Sequence, residues 1–171
     1  MKLDVKKMVQ ASLLMAIAII IPLVFGSTLR VYIPPFSATL ASHVPMFLSM
    51  FLGISVASIV GLGSSIGFLF AFPDPVVAAR AFMHVAVGFL GAKLVDKNYS
   101  FKKVVLFTAP LHGVLEALIV MPFGFSFKDA LIIVGVGTII HHIVDGIITI
   151  PVLKALKLEK KVENNIKKEI A

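Results

Sequence analysis

Ionisable side chains interrupt three consecutive apolar stretches of the sequence, and they do so at helical spacing. These groups are Arg80 with His84, His112 with Glu116, and His141 and His142 with Asp145. Residues four apart lie on one face of an α-helix, so each stretch would present a polar face. Because ionisable groups are costly in an apolar environment, we interpret each face as a candidate functional site.

The residue types on these faces suit the recognition of a small anion. The planar guanidinium groups of Arg80, and of Arg30 in the loop after the first apolar stretch, match a carboxylate or a phosphate. Histidine both donates and accepts hydrogen bonds at neutral pH. Apolar walls with a few convergent polar groups are typical of a small-molecule pocket. The predicted substrate-binding residues are Arg30, His43, Arg80, His84, His112, Glu116 and His141.

Each polar group also has a purely structural interpretation. Arg80 lies one turn inside its stretch, so its guanidinium can extend to the membrane surface. His112 and Glu116 can form a pair that joins two helices. Asp145 can be satisfied by a neighbouring histidine or by a facing helix.

The composition predicts that an integral membrane protein positions these residues. The 171-residue chain is 58% hydrophobic and only 15% charged, against about 25% charged residues in soluble domains. This excludes a soluble enzyme and a disordered chain. The absence of cysteine excludes disulfides, thiolate nucleophiles and cysteine-ligated metals. There is no Walker A motif, so we expect a transport subunit without its own ATPase rather than an enzyme.

The apolar stretches predict an all-α, six-helix membrane domain that covers residues 1–171. The expected helices are about 8–26, 38–53, 54–72, 76–95, 104–123 and 130–153, followed by a basic tail over 154–171. Residues 38–72 carry no formal charge. As one helix they would be about 52 Å long against a ~30 Å hydrocarbon core, so we expect two spans that turn near Gly53.

The distribution of cations predicts the orientation of the chain. The N-terminus, the 93–103 region and the tail hold 13 of the 16 Lys and Arg residues. Lys- and Arg-rich segments stay on the cytoplasmic side, and an even number of spans must therefore separate them. We expect both termini in the cytoplasm, in the plasma membrane of a prokaryote. The Lys residues do not form a groove-lining patch, so a nucleic-acid partner is not expected.

Small residues recur every four positions in the third predicted helix, between Ala57 and Gly67. A phosphate-binding loop is one interpretation, but the segment has no Lys and misses the dinucleotide-binding spacing by one residue. Close packing between helices is the favoured interpretation, because small residues let two backbones approach.

The sequence resembles the S component of an energy-coupling factor (ECF) vitamin importer. The shared features are six helices in about 170 residues, cytoplasmic ends and a proline-containing first outer loop. The resemblance implies a transmembrane T component and two ATPase subunits as partners. It also implies that small residues on helix 1, here Ala11, Ser12 and Ala16, contact the T component. Ser12 departs from the family pattern, which favours Ala. The outer loops would close over the ligand.

The segment from Pro35 to Pro45 is similar to the niacin-type branch of that family. A carboxylate vitamin would suit Arg80 and the histidines. Members for different vitamins share little sequence, so pantothenate, folate and queuosine precursors stay open as ligands. No cofactor and no bound metal are expected.

The main alternative is a metal-ion or proton-coupled carrier that uses the His, Glu and Asp cluster as N/O ligands. The sequence lacks the His-Glu-x-x-His pattern of zinc proteases. It also lacks the Met-x-His start of the cobalt and nickel members of the ECF family. A purely structural membrane protein, the third interpretation, would leave the three polar faces unexplained.

Overall fold

The computed structural model describes residues 4–34, 36–72 and 74–158. Most of them are helical. The helices are α1 (Val5–Phe25), α2 (Val44–Met50), α3 (Ile54–Ala71), α4 (Pro75–Phe82), α5 (His84–Asp96), α6 (Phe101–Val120), α7 (Phe127–Asp129) and α8 (Val136–Leu156). A 3-10 turn (Met121–Phe123) follows α6, and a π-helical segment (Ala130–Gly135) leads into α8. Lys2, Pro35, Pro73 and the tail from 159 onward lie outside the described residues.

Five helical segments of the described part are long and apolar enough to cross a membrane. They are Val5–Phe25, Ile54–Ala71, Pro75–Asp96, Phe101–Phe123 and Phe127–Leu156. The turn expected near Gly53 is present, because Gly53 has a φ of 111°, which residues with a side chain rarely adopt. The number of crossings and the side of each terminus stay predictions.

The predicted second helix over 38–53 is wrong. Only Val44–Met50 is helical there, about 10 Å of rise against a ~30 Å hydrocarbon core. Pro45 occupies the first turn of this short helix, where a proline is tolerated. The residues before it turn through Ala41, which has a φ of 69°. Non-helical backbone at this depth requires partners inside the protein, and these are described below.

The prediction of an entirely α-helical chain also needs correction. Strands β1 (Arg30–Ile33) and β2 (Phe36–Thr39) pair antiparallel, with Arg30 opposite Thr39. The side chains of β1 are exposed, whereas Phe36 and Thr39 of β2 are buried. The β-branched and aromatic residues of β1 favour a strand, although the neighbouring prolines had indicated a plain loop.

The last three predicted spans are irregular helices. Met83 separates α4 from α5, with its backbone N–H turned back to the Arg80 carbonyl. Asp74 caps α4 through a hydrogen bond from the Val76 N–H to its side chain. The final span changes from π-helical to α-helical geometry at Gly135 and continues to Leu156, three residues beyond its predicted end.

Close packing at the small residues of α3 is confirmed. A Cβ on Gly61 would lie 2.7 Å from the Val85 backbone nitrogen and 2.8 Å from the His84 carbonyl carbon. Real Cβ atoms do not approach other atoms this closely, so only glycine fits between α3 and α5. The backbone of His84 is therefore placed directly against α3.

The polar faces lie between two apolar layers. One layer contains Phe47, Val104 and Leu153, and the other contains Phe36, Val120 and Val134. Along α6 and along α8, the polar residues stand between the members of these two layers. The candidate site is thus enclosed at middle depth in the bundle.

Candidate functional site

The other four histidines of the chain surround the ring of His43, which follows the hairpin and precedes α2. The centroid of its ring lies 4.3 Å from His141, 4.9 Å from His112 and 5.0 Å from His84. His142 lies 5.8 Å away. α5, α6 and α8 each contribute at least one of these rings, so the cluster forms only when the three helices pack together.

Arg80 and Glu116 form a buried ion pair between α4 and α6. The Nε and Nη2 atoms of Arg80 donate to Oε2 of Glu116 at 2.9 and 2.8 Å, and Nη1 donates to the Ser37 carbonyl at 3.0 Å. The hydroxyl of Thr138 donates to the same Oε2 atom. Arg80 is only 7% exposed, so its guanidinium does not extend to the membrane surface. Glu116 Oε1 receives none of these bonds.

Asp145 of α8 holds the non-helical segment between β2 and α2. Its Oδ1 accepts the backbone N–H of Ala41 at 2.7 Å, and its Oδ2 accepts that of His43 at 2.9 Å. His141 Nε2 lies 3.0 Å from Oδ2 and 3.1 Å from the Thr39 carbonyl. Because both neighbours are acceptors, Nε2 carries the proton of His141. Asp145 thus supplies the partners that this buried backbone needs.

A chain of hydrogen bonds joins α6 to α8 beneath the ion pair. The Thr108 hydroxyl donates to the Val104 carbonyl at 2.7 Å and lies 2.9 Å from His142 Nε2. The Nδ1 atoms of His142 and His112 are 3.0 Å apart. His112 Nε2 lies 3.2 Å from Glu116 Oε1, and no hydrogen bond forms between them.

A cavity of about 300 Å³ opens beside this cluster, at the lower end of the ~300–1,000 Å³ range of small-molecule pockets. Apolar side chains of α1, α3 and α4 form much of its wall, including Leu23, Phe68, Phe72 and Val77. Its polar wall includes six of the seven predicted binding residues, namely Arg30, His43, Arg80, His84, Glu116 and His141. The seventh, His112, is buried behind this wall and does not line the cavity.

Arg30 differs from Arg80 in having no carboxylate partner among the described residues. Its guanidinium stands over the Tyr32 ring, 5.0 Å from the ring centroid. Arg30 is exposed and lines the cavity, so its charge is available to a solute.

Several residues of the site were not predicted. Thr138, Thr108 and Ser37 supply hydroxyl and carbonyl partners to the charged groups. Thr108 lies four residues before His112, so a search for any polar residue at that spacing would have found it. The Ser37 carbonyl is a backbone group and leaves no signal in the residue type.

The three predicted partner-contact residues of α1 separate into two groups. Ser12 and Ala16 lie on the exposed side of the helix, one turn apart. Ala11 is 1% exposed and packs into the apolar layer around Phe47 and Val104, so its side chain is covered by its own chain. A helix that buries Ala11, Leu14 and Ala18 presents position 11 to its own chain.

Comparison with known proteins shows one relevant relative. The niacin transporter NiaX of Lactococcus lactis subsp. cremoris (strain MG1363) is 31% identical over 160 residues. The alignment covers 84% of this chain and 71% of the relative. No family model and no solved structure matches the chain.

Proposed function

The chain belongs to the family of the niacin transporter NiaX, and on this premise we propose that it is the niacin-binding S component of an ECF importer. The observation that carries the proposal is the cavity beside the histidine cluster. It is small, its wall is largely apolar, and it contains an arginine with no carboxylate partner among the described residues.

The charges on the cavity wall suit a monocarboxylate. The positive charge of Arg80 is balanced by Glu116, so it adds little net attraction for an anion. Arg30 is the remaining arginine of the wall. Niacin is a pyridine ring with one carboxylate, and a planar guanidinium pairs well with such a group. We therefore assign recognition of the carboxylate to Arg30.

The apolar wall suits the aromatic ring of the vitamin. Phe68 of α3 and Phe72, which directly follows α3, stand edge to face, with centroids 5.5 Å apart, and both line the cavity. His43 and His84 line it on the polar side. Aromatic groups favour edge-to-face or offset contacts with other rings, so a pyridine ring fits between these side chains.

The direct test is calorimetric titration of the detergent-purified protein with niacin and with nicotinamide. Nicotinamide keeps the ring and replaces the carboxylate by a neutral amide. We expect niacin to bind and nicotinamide to bind far more weakly. Absence of niacin binding would refute the proposed ligand, and equal affinities would refute recognition by charge.

An arginine substitution tests the assignment of the carboxylate. Arg30→Gln should weaken niacin binding by about 10- to 100-fold, because a hydrogen bond to a charged group contributes about 1.5–3 kcal/mol. Lys128→Gln is the matched control, since it removes one positive charge from a residue that does not line the cavity. Equal losses in the two variants would show a general effect of net charge instead.

Delivery of the solute into the cell would depend on separate partner proteins. The proposed partners are a T component and two ABC-type ATPase subunits, in the plasma membrane of a prokaryote. Ser12 and Ala16 support this part of the proposal, because small exposed residues four apart on α1 let another helix approach closely. Solute would enter beneath the hairpin and leave on the cytoplasmic side after ATP hydrolysis by the partners.

A further inference from the structure

Three groups of side chains in the described residues bring possible metal ligands within 4.8 Å of one another. They are His43, His112 and His142; His43, His141 and Asp145; and His84, His112 and Glu116. All three groups are almost fully buried. What distinguishes them is whether their ligand atoms are already occupied by hydrogen bonds.

The first two groups share one nitrogen without a hydrogen bond, His43 Nδ1, but their other ligand atoms have little capacity left. Both ring nitrogens of His142 have partners, namely Thr108 and His112. Both oxygens of Asp145 accept backbone N–H groups, and His141 Nε2 donates its proton to the Thr39 carbonyl while lying 3.0 Å from Asp145 Oδ2. A metal ion would have to displace these bonds.

The third group leaves its ligand atoms free. His84 Nε2 and His112 Nε2 are buried nitrogens that make no hydrogen bond within the described part of the chain. The three donors to Glu116 all bind Oε2, which leaves Oε1 available. Unpartnered buried polar atoms are rare in proteins, and two in one cluster indicate a missing partner.

The hydrogen-bond chain fixes where the lone pair of His112 lies. Because the Thr108 hydroxyl donates to Val104, it accepts the Nε2 proton of His142. As a neutral ring, His142 then accepts at Nδ1 the proton of His112 Nδ1. His112 Nε2 is left with a lone pair that faces the negatively charged Glu116 at 3.2 Å. Two acceptors at this distance repel each other unless a positive centre lies between them.

We propose that His84, His112 and Glu116 bind a divalent transition-metal ion at the wall of the cavity. In a tetrahedral site with bonds of about 2.0–2.1 Å, two ligand atoms are about 3.3 Å apart, close to the 3.2 Å between His112 Nε2 and Glu116 Oε1. Two imidazoles and a carboxylate select Zn²⁺, Co²⁺ or Ni²⁺.

The surrounding residues are those that a metal site needs. His112 donates its second ring proton to His142, and Glu116 is oriented by Arg80 and Thr138. Such outer partners fix the ligand tautomer and the direction of the carboxylate. Three protein ligands leave a coordination position open. His84 and Glu116 line the cavity, so the ion would lie within reach of a bound solute.

The test is Co²⁺ titration of the full chain, purified with a tag that contains no histidine and stripped with a chelator. We expect one Co²⁺ per chain with the visible absorption of a four-coordinate ion, and displacement of Co²⁺ by Zn²⁺. His84→Ala should weaken Co²⁺ binding at least about tenfold, whereas His141→Ala, outside the triad, should keep it.

Two results would overturn the proposal. The first is that the wild-type chain, titrated with Co²⁺, shows no absorption above that of the metal-free sample. That result would mean that a proton, and not a metal ion, lies between His112 and Glu116. The second is loss of Co²⁺ in His141→Ala but not in His84→Ala. Because either variant can lose stability, Zn²⁺ should also raise the thermal midpoint of the wild type and not that of His84→Ala. Niacin binding is scored separately, so failure of one proposal leaves the other testable.

Discussion

Arg80 and Glu116 show how two candidate binding residues can satisfy each other. The three guanidinium nitrogens of Arg80 are all engaged, two with Glu116 and one with the Ser37 carbonyl. A solute carboxylate would have to compete with a paired and buried carboxylate. At the scale of single residues, the pair therefore holds α4, α6 and the hairpin together.

Removing only one of the two charges of the Arg80–Glu116 pair should destabilise the protein. Arg80→Gln leaves the Glu116 charge uncompensated in a buried site, which should lower the free energy of unfolding by about 3–5 kcal/mol. The double variant Arg80→Gln/Glu116→Gln should recover much of that loss, because both charges are gone. Thermal unfolding in detergent measures both changes. A double variant as unstable as the sum of the two single variants would contradict the pairing.

The residue types of the site were predictable, but their roles were not. Spacing of four placed Arg80 with His84 and His112 with Glu116, and these residues do converge. The sequence could not show that Glu116 faces Arg80, because that contact depends on how α4 packs against α6. The three hydrogen bonds of the Arg80 guanidinium form only when α4, α6 and the hairpin pack together.

At the scale of elements, Gly61 determines how close α3 comes to α5. Its missing side chain lets the two backbones meet at His84 and Val85, which is where α5 begins. Gly63, two residues later, faces the side chain of Met15 on α1. Gly61 therefore faces the backbone of α5, whereas Gly63 faces the flexible side chain of Met15.

Alanine substitutions at these two glycines should have unequal effects. Gly61→Ala forces α5 away from α3, with an overpacking cost of about 1–3 kcal/mol, and it should weaken niacin binding because His84 moves with α5. Gly63→Ala should have little effect on niacin affinity, since Met15 can change its rotamer. Thermal midpoints and niacin titrations of both variants check this. Equal losses of affinity would contradict the role of Gly61 in placing His84.

The helices were more predictable than the hairpin and the segment after it. Apolar length identifies spans such as α1 and α3, because a helix satisfies its own backbone inside a membrane. Residues 38–53 have the same apolar composition, yet only 44–50 are helical. The backbone there is satisfied by β1 and by Asp145, whose bond to Ala41 joins residues 104 positions apart. Such non-local partners cannot be found from local composition.

At the scale of the whole molecule, the orientation in the membrane can be tested directly. The chain has no cysteine, so single cysteines report accessibility without background. Tyr32, on β1, and Lys97, in the turn after α5, are both exposed. If Lys-rich segments face the cytoplasm, these two positions lie on opposite sides.

We expect Tyr32→Cys to react with a membrane-impermeant maleimide in intact cells. Lys97→Cys should react only after the membrane is permeabilised. The degree of labelling on a gel measures both. If only Lys97→Cys were labelled in intact cells, the topology would be the opposite of the predicted one. That result would also contradict the proposal that solute enters beneath the hairpin.

Helix α1 is held to the bundle mainly by one narrow face. Only Ala11, Leu14 and Ala18 are buried, while large apolar residues such as Leu13 and Ile17 are exposed. In a membrane this surface meets lipid or another helix. The exposed small residues Ser12 and Ala16 provide a place where a partner helix can approach.

Large residues at these positions should separate binding from uptake. Ser12→Leu and Ala16→Leu should leave niacin affinity of the purified chain unchanged, because neither residue lines the cavity. In cells that carry the complete importer they should abolish niacin uptake. Ala86→Leu, at an exposed small residue of α5, is the control and should keep uptake. Equal loss of affinity and uptake would refute this division of roles.

Asp145 holds the segment between β2 and α2 by accepting two backbone N–H groups, and the His43 ring lies 3.3 Å from the same carboxylate. Every residue except proline supplies a backbone N–H, so most mutations at position 43 leave that support in place. Position 41 is more restricted, because its φ of 69° is disfavoured for most residues with a side chain. The same segment brings Ser42 and His43 to the wall of the cavity. Substitutions at positions 42 and 43 can therefore change the groups on the cavity wall while the backbone support beneath them stays in place.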